Sequence, residues 1–131
     1  MKINHFNSFL SLCAITAMLL LQSCDPTYSI RIENQSSSKI TVTATTTNKF
    51  QAYGHKIIEL GADKVRFEIP SGEYLECGMA IAGLENDLPF TSLIVQTLNK
   101  RIVADTPNKV ISLFEKESDG NLKTPYSLVI K

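Results

Sequence analysis

The chain has 131 residues, 13 Lys and Arg against 13 Asp and Glu for no formal net charge, 44% hydrophobic residues and no tryptophan. That size and balance fit one globular domain around one core and exclude a disordered or repeat architecture. Basic residues are scattered singly, which leaves no basic stripe for nucleic acid and no acidic tail.

The first elements in chain order are a targeting segment and a cysteine. Lys2 gives a short positive start, and residues 9–21 (FLSLCAITAMLLL) form a mostly apolar run. The run falls within the length of a signal-peptide core and short of the about 20 apolar residues that a membrane-spanning helix needs. Leu21-Gln22-Ser23-Cys24 follows. This stretch resembles the lipobox of bacterial lipoproteins, with an aliphatic residue three positions before the cysteine and a small residue just before it. Gln22 stands where the family usually has a small or aliphatic residue, so the motif is similar to the relaxed lipoboxes of Bacteroidota lipoproteins. The resemblance covers about the first 25 residues, and whole-chain resemblance is only to small uncharacterised lipoproteins of that group. It implies a signal peptide over residues 1–23, cleavage before Cys24, a diacylglycerol on the Cys24 thiol, and an N-acyl lipid such as palmitate on its amine. It further implies a lipid-anchored envelope location, read as the outer membrane facing the periplasm, because only Asp25 is acidic before Pro26. Several acyl chains hold a protein at a membrane where one gives only marginal binding. The other reading of Cys24 is a half-cystine behind an ordinary signal peptide.

Residues 24–27 make a short linker, so a domain over residues 28–131 must sit close to the membrane. Tyr28, Ile30 and Ile32 alternate with Ser29, Arg31 and Glu33, and Ile40, Val42 and Ala44 alternate with threonines. A period of 2 marks strands with one wet face, the habit of antiparallel sheets. Turn composition over residues 34–38 (NQSSS) predicts a hairpin between the two. Residues 64–69 (KVRFEI) alternate most strictly, and Pro70-Ser71-Gly72 turns the chain into a strand over 73–82. Parity there puts Leu75, Cys77, Met79 and Ile81 on one inward face, which makes Cys77 a buried, inert thiol.

Strand-like segments over 91–98 and 101–104 follow, and a turn is predicted at 105–108. Residues 109–116 and 124–130 are predicted to close the chain as a hairpin around Asp119-Gly120-Asn121. No amphipathic helix is evident. About eight short strands at spacings of ~8–12 residues predict an all-β fold, an antiparallel, immunoglobulin-like β-sandwich of 7–8 strands, with barrel closure as the alternative.

Catalytic motifs are absent from this reading: there is no multi-histidine metal pattern and no phosphate loop, and no cofactor is expected beyond the lipid on Cys24. His55 is the one histidine left after processing, and Ser71 before Gly72 only imitates a nucleophile turn. The two longest connections, residues 47–55 and 83–91, carry Phe50, Tyr53, His55, Asp87 and Phe90. These are candidate binding residues: the aromatic rings either form a shelf that stacks on a sugar or a partner side chain, or plug the ends of the core. Three functions follow in order: a non-catalytic lipoprotein that binds another envelope protein as accessory subunit, assembly factor or inhibitor; a glycan or small-ligand module using those loops; and a hydrolase based on His55. Oligomeric state is not encoded in any of these features.

Overall fold

Alternating β-branched and polar residues make pleated strands that bury one face, and two such layers must cover each other. A computed structural model describes residues 27–81, 83–116 and 125–131 of the chain. The signal segment, Cys24 and the turn at residues 119–121 lie outside the described residues. Nine strands and one helix are present among the described residues: β1 Tyr28–Asn34, β2 Ile40–Thr46, β3 Ile58–Gly61, β4 Lys64–Ile69, β5 Tyr74–Ala80, β6 Phe90–Gln96, β7 Arg101–Ala104, α1 Pro107–Leu113, β8 Glu115–Lys116 and β9 Tyr126–Ile130. They form a four-stranded sheet in the order β5-β1-β9-β8 and a five-stranded sheet in the order β3-β4-β2-β6-β7. The architecture is all-β in character, two antiparallel-rich sheets with one short helix.

The strict alternation of β4 places Val65, Phe67 and Ile69 inside, paired with Ala44, Val42 and Ile40 of β2. Ile30 and Ile32 of β1, Leu75 of β5, and Leu128 and Ile130 of β9 bury the inner face of the other sheet. Phe67, Phe90, Ile30, Ile32, Ile40, Ile69, Leu75 and Leu93 are among the largest fully buried side chains, so both layers feed one core.

Three predicted local features are corrected, and a fourth element is added that the sequence reading did not contain. β1 and β2 do not form a hairpin; they belong to different sheets, and residues 35–39 cross between them. Asn34 decides this. It is 1% exposed, its Oδ1 accepts the Ser36 N–H at 3.1 Å in an Asx turn, and its Nδ2 donates to Ser38 O at 2.8 Å and to Ile69 O at 2.9 Å. The side chain thereby ties the crossover to the end of β4. Second, β1 runs parallel to β9 while pairing antiparallel with β5; the chain re-enters this sheet at β5 and at β8 against the direction of β1, and β9, antiparallel to β8, takes the direction of β1.

Third, residues 107–113 are helical rather than extended. Thr106 caps the helix, accepting the Lys109 N–H, and Pro107 sits in the first turn, where its missing N–H costs nothing. Val110 and Phe114, four residues apart, turn to the core, and the strand expected over 109–116 shrinks to β8. Fourth, residues 58–61 form an edge strand that hairpins onto β4, with Gly61 at φ 106° and Asp63 at φ 59° supplying the left-handed turn.

The ends of the sandwich differ. The chain enters at Tyr28, level with Ala80 at the end of β5, and the 83–89 connection and the β3–β4 turn lie at this end. The crossovers at 35–39 and 70–73 and the β6–β7 turn gather at the opposite end, where Gln35 N–H donates to Ile130 O at 2.8 Å and Gly72 N–H to Asn34 O at 2.7 Å.

Candidate functional site

The two long connections predicted to carry binding residues do meet. Thr47 donates its N–H to Pro89 O at 2.9 Å and its hydroxyl to Leu88 O at 2.7 Å. Lys49 Nζ lies 3.5 Å from an Asp87 carboxylate oxygen, and the other Asp87 oxygen accepts the Ile81 N–H at 2.7 Å. Asp87 is buried and pins this connection to the end of β5.

The rings do not form a shelf. Phe90 is fully buried, and Phe50 packs with its centroid 5.4 Å from the Phe90 ring and stacks at 6.4 Å on Phe67, plugging the core. Tyr53, at 71% exposure, is the one ring of the three turned to solvent. His55 is tucked in, its Nε2 3.5 Å from a Glu73 carboxylate oxygen. That separation is within ion-pair range but outside hydrogen-bond geometry, so neither ring nitrogen has a hydrogen-bond partner. Ser71 donates its hydroxyl to Ser36 O at 2.6 Å and joins two crossovers. Among the described residues no group of three or more His, Cys, Asp or Glu side chains is placed to hold a metal ion.

Residues that sequence patterning missed lie on the outer face of the first sheet. Strand β5 begins in regular alternation with Leu75 inward and Glu76 outward. The register then shifts: Arg31 pairs with Glu76 but Ile30 pairs with Gly78, which leaves Cys77 as an extra residue in a β-bulge. A bulge resets which face each later residue meets. Ala80 is therefore buried, and Met79 and Ile81, expected inside, stand 57% and 54% exposed. Cys77 itself is fully buried as predicted, its Sγ 3.2 Å from Ile30 O, and burial pushes its thiol pKa well up. Gly78 permits the close approach, since a Cβ there would lie 3.2 Å from Lys49 O.

Tyr74 opens the same outer row at 52% exposure, and the Arg31 guanidinium carbon lies 5.3 Å from its ring centroid. Arg31 is held in place. Its Nε contacts a Glu33 carboxylate oxygen at 2.6 Å and donates to Ser127 Oγ at 3.1 Å, while the Ser127 hydroxyl donates to Glu33 at 3.2 Å. The residues come from β1, β5 and β9, so only the folded sheet assembles them. The arrangement offers a fixed cation, a flat ring and a row of apolar side chains on an open face, which suits recognition of a surface.

No protein-family model matches the chain, and no match is found among curated proteins or solved structures.

Proposed function

We propose that this protein is a lipid-anchored envelope lipoprotein whose non-catalytic, immunoglobulin-like β-sandwich binds another envelope protein. The anchor rests on the Leu21-Gln22-Ser23-Cys24 motif, and β1 begins only four residues beyond Cys24. The outer membrane, facing the periplasm, is the proposed location. An immunoglobulin-like assignment draws support from chain segments that cross between two facing sheets, at residues 35–39 and 70–73.

The observation that carries protein binding is the Arg31–Tyr74 pair. Arg and Tyr dominate the energetics of protein interfaces, and a side chain already fixed by Glu33 and Ser127 loses little entropy on docking. A photoreactive residue at position 74 in intact cells should give one discrete covalent adduct. Arg31→Ala should weaken that adduct about 30-fold in affinity terms, the effect of a ~2 kcal/mol hot spot. Absence of any adduct from positions 74 and 53 refutes the reading. Cys24→Ala should move the protein from membranes to the soluble fraction without unfolding it, and its retention in membranes refutes the anchor.

A further inference from the structure

We infer that the entry end of the domain, around Ile81 and Met79, rests on the surface of the bilayer that holds Cys24, so that the lipid tether also sets an orientation. The inference builds on lipidation of Cys24. Three residues lie between Cys24 and Tyr28, a reach of roughly 14 Å over four Cα–Cα steps at full extension. Tyr28 lies level with Ala80, the last residue of β5, and the outward Met79 and Ile81 flank it in sequence, Ile81 just past the strand. The opposite end of the sandwich is a further strand length away, about 20 Å for a seven-residue strand.

Three features of the entry end suit a lipid surface. Met79 and Ile81 are large, apolar and more than half exposed, and they face outward only because the bulge at Cys77 re-aims them. In the 83–89 connection Asp87 is engaged, accepting the Ile81 N–H at 2.7 Å and facing Lys49 at 3.5 Å, which leaves Glu85 as the one exposed carboxylate of that connection. Lys116 Nζ lies 4.0 Å from the Tyr28 ring centroid and 5.6 Å from that of Tyr126. A lysine over tyrosine rings is the amphipathic pairing found at membrane interfaces, with the cation among phosphates and the rings at headgroup depth.

The chain contains no tryptophan, so a single introduced indole reports its own surroundings. The test uses full-length lipidated protein carrying Ile81→Trp, or Leu98→Trp at the far end, where Leu98 is 78% exposed. Each is reconstituted in phosphatidylethanolamine–phosphatidylglycerol vesicles doped with phosphatidylcholine brominated on its acyl chains. The indole at position 81 should lose about half its emission and shift to shorter wavelength, as an interfacial side chain does, while that at position 98 keeps both unchanged. Flotation with the vesicles together with an unquenched indole at position 81 overturns the docking and leaves the anchor intact, which frees Ile81 for a protein partner. Failure to float overturns the anchor and the docking together.

Discussion

Asn34→Ala should destabilise the domain by about 2–4 kcal/mol. Asn34 is buried where the first crossover meets β4, and all its side-chain capacity is in use: Nδ2 donates to Ser38 O and Ile69 O, and Oδ1 accepts from the Ser36 N–H and the Ser36 hydroxyl. Alanine removes the Asn34 donor from the buried Ile69 carbonyl, which pairs with Ile40 in the β2–β4 ladder, at ~1 kcal/mol for the lost hydrogen bond, and strands the partly buried Ser36 N–H at ~1–3 kcal/mol. Ser38 O keeps the Ser36 hydroxyl at 3.0 Å, so it adds less. At about 4–8 °C per kcal/mol for a domain of this size, the melting temperature should fall by roughly 8–30 °C. Thermal unfolding followed by circular dichroism measures it, and a midpoint within about 4 °C of wild type would refute the keystone role. Asn34→Asp sharpens the test through pH. A carboxylate would face two carbonyl oxygens, so the introduced carboxyl has a folded-state pKa above its unfolded value near ~3.9. Its ionisation penalty is absent below that unfolded value and grows as pH rises, so the aspartate variant should be most stable in acid, and flat pH dependence relative to wild type would contradict the geometry.

Phe90→Ala should cost about 3–5 kcal/mol in urea unfolding because the ring fills the core against Phe50, whereas Tyr53→Ala should change stability by less than ~0.5 kcal/mol. Burial holds Cys77 as a neutral thiol, so peptide mapping after maleimide treatment at pH 8 should find Cys77 unlabelled until denaturant is added. The hydrogen bond and charge of Lys109 hold the exposed Asp105 carboxyl below the usual carboxylate range, so its small contribution to stability is present above that range and lost as pH falls through the depressed value. Lys109→Ala should raise the Asp105 midpoint in an NMR titration, and an unmoved midpoint contradicts the pairing.

Much of the core was legible in local pattern. Val65, Phe67 and Ile69 alternate with Lys64, Arg66 and Glu68, and burial follows that alternation residue by residue. The helix at Pro107–Leu113 had its signal in Thr106-Pro107, an N-cap followed by proline, but the surrounding apolar residues also satisfy a strand pattern over so short a run. The candidate site was barely legible. Arg31 and Glu33 read as outward positions on a strand, yet nothing near them points to Ser127, 96 residues from Arg31. Of the predicted loop residues, Phe50 and Phe90 turned to the core because the sandwich end needed filling, and Asp87 became a brace.

Sequence alone determined the strands with unbroken alternation, such as residues 28–34, 40–46 and 64–69, the wet faces of those strands, and that a lipoprotein-like motif stands four residues ahead of the first of them, because these depend on neighbours along the chain. Tertiary structure decided the rest. Whether residues 34–38 turn a hairpin or cross between sheets depends on Asn34 finding the Ile69 carbonyl. Whether Met79 and Ile81 face core or solvent depends on how β5 registers against β1 around Cys77. Strand period is a property of one chain segment, but register and sheet membership belong to the pair, and only packing selects between them.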